Sequence, residues 1–212
     1  MSKEKSLFAR EIFISFTLIL LLFAPVSLLI AGDVEAGKSK SIVCSACHGQ
    51  DGNSINPLWP SLAGQHKQYT IHTLKAYKNG TRVDPVMQAQ VMALTEQDFE
   101  DIAAYYHAQN MEKKDYDYAL AKKGESLYRG GNASTGVAAC IACHGPTGRG
   151  NPGAGYPSLA GQHAEYTEDA LKDYTNTERK AGLNDMMQSL ATRLTAEEIE
   201  AVSEYIQALG SK

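Results

Sequence analysis

Two stretches of this 212-residue chain carry reactive residue types at a fixed spacing: Cys44-Ser45-Ala46-Cys47-His48-Gly49 and Cys140-Ile141-Ala142-Cys143-His144-Gly145. Each is C-x-x-C-H followed by glycine. Thiols two residues apart reach the two vinyl positions of one porphyrin, and the adjacent histidine is carried under the iron as an axial ligand. The expectation is therefore covalent haem c twice, held through Cys44, Cys47, Cys140 and Cys143, with His48 on one iron and His144 on the other. A zinc ribbon also uses paired C-x-x-C, but at separations of about 15 to 20 residues. Here 92 residues lie between Cys47 and Cys140, and zinc leaves the repeated His-Gly unexplained. A thioredoxin-like redox pair requires a βαβ pattern that the chain lacks. The two motifs use all four cysteines, so no disulfide framework remains to be drawn.

The position opposite each histidine decides what such an iron does. An open position admits small ligands or peroxide, whereas a thioether closes it and raises the reduction potential. Met87 and Met187 stand at equivalent places, each seven residues before the leucine that precedes a capping threonine, and are the expected axial pair. Met186, which faces Val86 in the repeat, is the rival for the second iron, and Met92 has no methionine counterpart. His66 and His163 also recur, which keeps bis-histidine ligation open; both directly follow Leu-Ala-Gly-Gln and open the next helix, a more usual place for a structural role. His72 and His107 have no histidine counterparts and are expected at the surface. Carbonyls near Pro60 and Pro157 are expected to accept the free N–H of His48 and His144, orienting both rings. The preceding Trp59 and Tyr156 are candidates to wall the porphyrins.

These groups are positioned by a duplicated scaffold. The two haem motifs align at an offset of 96, and Pro60-Ser61-Leu62-Ala63-Gly64-Gln65-His66 meets an identical Pro157-Ser158-Leu159-Ala160-Gly161-Gln162-His163 at 97. Tyr69, Leu74 and Tyr77 meet Tyr166, Leu171 and Tyr174 at the same offset, and Met87-Gln88 meets Met187-Gln188 at 100. Small insertions between motifs account for the drift, which loops absorb cheaply. Both halves read as helical. Thr95 and Thr195 resemble N-caps with an acidic group three residues on. Behind them Phe99, Ile102, Ala103 and Tyr106, and Ile199, Val202, Ile206 and Leu209, recur at helical spacing, with Gly210 as a stop. Shorter helices are predicted at 34–43 and 118–128, where Gly37 and Gly124 allow close approach of the terminal helix. No segment sustains β alternation. The predicted fold class is all-α, with two tandem domains at residues 32–111 and 112–212 in which porphyrin completes each small core.

Residues 1–31 differ in kind. Lys3, Lys5 and Arg10 precede an uncharged run over 12–31, the pattern of a positively charged start and an apolar export segment. At 20 residues the run exceeds a usual cleavable segment and equals a spanning helix. Pro25 interrupts it, and neither Ala24 nor Ala31 ends a good cleavage site. A signal peptide and a retained membrane anchor both follow, and either exports the rest, as covalent haem c requires. The chain carries 20 basic and 24 acidic residues, net −4; without residues 1–31, 17 basic stand against 22 acidic, net −5. This mild acidity serves solubility and gives no footprint for nucleic acid.

Taken together, Ala31-Gly32-Asp33 with Gly37, both Cys-x-x-Cys-His-Gly motifs, both Leu-Ala-Gly-Gln segments, Leu127-Tyr128-Arg129-Gly130-Gly131 and the two methionine-to-helix segments resemble the cytochrome c4 family from residue 31 to 209. The resemblance implies an all-α fold of two tandem class I cytochrome c-like domains, and a bacterial periplasmic electron carrier with two haem c groups and His/Met iron, often membrane-associated. It also implies redox partner proteins, a quinol-oxidising complex upstream and a terminal oxidase downstream, with no enzymatic turnover of its own. The alternative is the haem subunit of a dehydrogenase complex such as a flavocytochrome c sulfide dehydrogenase. A dihaem peroxidase is a third reading, opposed by the matched methionines.

Overall fold

Two capping boxes start the helices on which each half is built. Thr95 accepts from the Asp98 amide while the Asp98 carboxylate accepts from the Thr95 amide, and Thr195 and Glu198 repeat the exchange. In the computed structural model, residues 32–176, 179 and 185–210 are described; the expected signal or anchor segment at 1–31 lies outside them. Residues 31–212 form one compact unit.

In chain order, the first half contains α1 (Val34–Lys40), α2 (Ile42–His48), α3 (Lys67–Lys78), α4 (Pro85–Val91) and α5 (Glu96–His107). The second contains α6 (Tyr118–Gly130), α7 (Ile141–His144), a 3₁₀ turn at Pro152–Ala154, α8 (Ala164–Thr175), α9 (Met186–Ala191) and α10 (Ala196–Leu209). Only isolated β-bridges accompany them among the described residues. The predicted apolar faces are those buried: Phe99, Ile102, Ala103 and Tyr106 on α5, and Ile199, Val202, Ile206 and Leu209 on α10.

α1 crosses α5 and α6 crosses α10, and glycine makes both crossings possible. A Cβ on Gly37 would stand 2.0 Å from the Asp101 carbonyl oxygen, and one on Gly124 would stand 1.9 Å from that of Ala201. The chain before the haem motifs differs between the halves. A single helix predicted over 34–43 breaks at Ser41, which ends α1 and starts α2, its hydroxyl donating to the Lys38 carbonyl at 3.0 Å. In the second half α6 ends at Gly131, and a loop closed by the Asn132–Val137 bridge precedes α7. The glycine crossings are offset by 87 and the cysteines by 96, so the nine extra residues enter in this loop.

The stretch between α5 and α6, where the domain boundary is expected, is held by both halves. The Glu112 amide donates to Asn53 Oδ1 at 2.9 Å, Lys114 Nζ donates to the Gly161 carbonyl at 2.7 Å, and Gln207 Nε2 donates to that of Asp115 at 2.7 Å.

Candidate haem sites

α2 and α7 carry the two motifs and end on their histidines. The glycine that follows each, Gly49 at φ +78° and Gly145 at φ +76°, ends its helix in a positive-φ extended conformation that glycine adopts without a Cβ clash. His48 and His144 are buried, at 8% and 6% exposure. His48 Nδ1 donates to the Pro60 carbonyl at 2.8 Å, and His144 Nδ1 to that of Pro157 at 3.1 Å. A carbonyl can only accept, so the proton sits on Nδ1 and the Nε2 lone pair is left for a metal. Burial lowers both imidazole pKa values, against the opposing pull of the proline carbonyls, and keeps the rings neutral. The carbonyl expectation made from sequence is met at both prolines.

All four cysteines are free and partly buried. Cys44 packs against Ile102, Tyr105 and Tyr106, and Cys140 against the α6–α10 core. Burial raises the Cys44 thiol above its ordinary value and pushes Cys140 up to about 11. Tyr156 stands with its ring 6.0 Å from that of His144, whereas Trp59 is 42% exposed.

α4 starts at Asp84, whose carboxylate accepts from the amides of Val86 and Met87 at 2.9 and 3.0 Å, and Pro85 fills the first turn where no N–H is needed. Met87 is half-buried against Tyr77, Val91 and Phe99. Met187, on α9, is half-buried against the second core, while Met186 is 45% exposed and Met92 59% exposed. Of the repeated histidines, His66 caps α3 and His163 caps α8. Their Nε2 atoms donate into the opposite half, to the Arg149 carbonyl at 2.7 Å and the Ser54 carbonyl at 2.8 Å. His107 is exposed and its Nδ1 donates to the Gln65 carbonyl; His72 is half-buried.

The seam between the halves is built from the repeated glutamines and tyrosines, whose joining role the sequence does not show, and from two arginines that it leaves unremarked. Gln162 Oε1 accepts from the Ser61 amide and its Nε2 donates to the Ser61 carbonyl, both at 2.9 Å; Gln65 does the same to Ser158, again at 2.9 Å. Beside this clasp, Arg82 and Arg179 form an antiparallel bridge. Arg179 donates to the Tyr69 hydroxyl at 2.8 Å and lies 4.8 Å over Tyr174, while Arg82 donates to Tyr166 at 3.3 Å and lies 4.6 Å over Tyr77. Burial raises the Tyr166 phenol, but the two guanidinium groups more than reverse this and bring it to about 8. Among the described residues no carboxylate lies within 4 Å of either guanidinium. A signal was available: both arginines sit at the offset of 97 that aligns the heptapeptides.

Each half thus offers two thiols, a neutral imidazole with a free Nε2 and a half-buried thioether, a donor set that fits haem iron. The family model for cytochrome c matches twice, over residues 34–109 and 121–210. Fold and sites therefore define a c-type cytochrome of two domains, each binding one covalent haem c. The chain belongs to the cytochrome c4 family. It is 47% identical over 180 residues to cytochrome c4 of Thiocapsa roseopersicina, spanning 84% of this chain and 93% of that protein. Cytochrome c4 of Pseudomonas aeruginosa is 43% identical over 180 residues, 84% of this chain and 90% of its own. The crystal structure of reduced recombinant cytochrome c4 from Pseudomonas stutzeri superimposes with a TM-score of 0.81 at 44% identity, covering 84% of this chain and 98% of that one. Similarity of this extent makes the chain a dihaem electron-transfer cytochrome.

Proposed function

We propose that this cytochrome carries electrons in a bacterial periplasm, from a quinol-oxidising complex toward a terminal oxidase, with His48 and Met87 on one iron and His144 and Met187 on the other. Cys44 and Cys47 hold the first porphyrin as thioethers, and Cys140 and Cys143 the second. The domains meet after Met111, and the segment at 1–31 exports the chain, cleaved or retained as an anchor. When bound, each haem supplies a one-electron Fe(II)/Fe(III) couple.

The protein's part is to keep that couple closed and little altered by redox state. Pro60 and Pro157 fix the axial rings in one tautomer, Asp84 fixes the turn that presents Met87, and the α5 and α10 cores exclude water around both. Arg82 and Arg179 hold positive charge in the seam, which favours the reduced and less positive metal on either side. The observation that carries the reading is the duplication itself: in both halves a buried Nδ1-bonded histidine follows two thiols, and a half-buried methionine opens the helix before the terminal one. The near-complete coverage of cytochrome c4 relatives favours a carrier over a flavoprotein's haem subunit.

Two measurements on the exported protein test this. Intact mass should exceed the mature polypeptide by two haems. The oxidised spectrum should show the weak sulfur-to-iron charge-transfer band at the red end, scaled to two irons. A mass equal to the bare chain, or ready binding of carbon monoxide to both reduced irons, overturns it.

A further inference from the structure

The cross-domain amides reach further than holding the halves together. The Pro60 carbonyl that accepts from His48 and the Ser61 N–H that donates to Gln162 Oε1 are the two ends of one peptide group. The same holds for the Pro157 carbonyl, on His144, and the Ser158 N–H, on Gln65 Oε1. A peptide is a resonant unit, so a hydrogen bond donated by its N–H leaves more electron density on the nitrogen and makes its carbonyl oxygen a stronger acceptor. A stronger acceptor on Nδ1–H makes the imidazole a better donor through Nε2 and stabilises the oxidised metal.

We propose that Gln162 and Gln65 are positioning residues for the iron of the opposite domain. Gln162, in the second domain, sets the basicity of His48 in the first, and Gln65 does so for His144. Each amide also holds its serine from the other side, because its Nε2 donates at 2.9 Å to that serine's own carbonyl, in the following peptide group. The wiring is crossed, so the donor strength at each metal depends on the docked partner domain. The two arms are unequal. Ser61 and Gln162 are buried at 3% and 8% exposure and the His48 bond is 2.8 Å, whereas Gln65 is half-buried and the His144 bond is 3.1 Å. The first iron is therefore the more strongly governed.

The inference rests on the proposed ligation by His48 and His144, and its test separates the two. In the reduced holoprotein, each axial imidazole gives an Nδ1–H proton resonance displaced by the porphyrin ring current. If neither parent resonance exists, the ligand assignment has failed. With both present, Gln162→Leu should move the His48 Nδ1–H upfield, speed its hydrogen exchange and leave His144 in place. The Fe(II)/Fe(III) ratio of the His48 iron at fixed applied potential should rise on the order of threefold, about 28 mV at 59 mV per tenfold. Gln65→Leu should do the converse, with a smaller shift, and carries the test if the buried variant fails to load haem. Gln162→Glu, which keeps an acceptor for Ser61, should return the His48 resonance to its parent position or beyond. The proposal is overturned if each variant perturbs the haem of its own domain, if both resonances move alike, if neither moves, or if Glu behaves as Leu.

Discussion

On the proposed ligation, Met87 and Met187 are the residues at which carrier and enzyme part company, because a closed iron exchanges electrons and an open one exchanges ligands. Met87→Ala should open the first iron. The reduced protein should then bind carbon monoxide at one haem of two, with half the red charge-transfer band lost. The potential of that iron should fall on the order of 0.1 V, within the ~0.8 V that axial ligands span. Met187→Ala should do the same at the second iron, whereas Met186→Ala should leave both bands intact; a reversal between the neighbours would move the ligand by one residue. The thiols and histidines stand out in the sequence because covalent attachment needs those residue types at one spacing, and the methionines are proposed because duplication picks them out of six. Gln65 and Gln162 were visible as repeated letters but not as a clasp. Their partners lie 93 and 101 residues away, and a glutamine in a loop carries no local mark of the backbone it will hold.

Helices α1 and α6 have almost no freedom to change where they cross the terminal helices. Gly37→Ala and Gly124→Ala each drive a Cβ to within about 2 Å of a carbonyl oxygen, so both should lose about 3 kcal/mol of stability, at the upper end of overpacking costs. Gly130→Ala, at the end of α6 where an added Cβ meets nothing within 4 Å, should be neutral or gain up to ~1 kcal/mol. Urea midpoints of the three holoproteins give the comparison, and equal midpoints would refute the close-crossing argument. Near the first crossing Lys40 bridges Asp98 and Asp101 at 2.6 Å each, where the second half places Leu127 and Ala201. The Lys40 hydrogen bond and the cap contacts from Thr95 hold the Asp98 carboxyl at about 2, below its ordinary 3.8. A depressed carboxyl adds stability above its unfolded value and loses it as pH falls through the folded one. Asp98→Asn should therefore cost about 1 kcal/mol at pH 7, the usual worth of a cap. The deficit should shrink below about pH 4 and vanish below about pH 2, read from urea unfolding at each pH; a deficit constant with pH would exclude the ionic part. The capping boxes were legible because they are short-range chemistry, but the break at Ser41 was not. It depends on Ser41 being buried where two helices change direction.

At the scale of the whole molecule, two halves of a kind that family members combine in tandem are joined by hydrogen bonds from glutamine, histidine and arginine side chains. Sequence symmetry foretold two domains, yet it could not foretell that residues 31–212 make one compact unit, since reciprocal contacts leave no periodicity in either half. Arg82 and Arg179 are like charges brought together in the seam, and phenols take the place of carboxylates around them. Hydrogen bonds to a charged group contribute about 1.5–3 kcal/mol when the alternative is a buried donor without a partner. Tyr69→Phe and Tyr166→Phe should each cost about that much, and because both serve one cluster their effects should couple in a double-mutant cycle. The double variant has neither phenol to hold the guanidinium pair and should weaken the seam before it weakens either core. Calorimetry of the parent holoprotein should give one transition, and that of the double variant two, the lower one accompanied by loss of the Gln162-dependent shift at His48. Were the double variant to melt in a single transition at the parent temperature, the arginine–tyrosine cluster would be a by-product of docking rather than a cause of it.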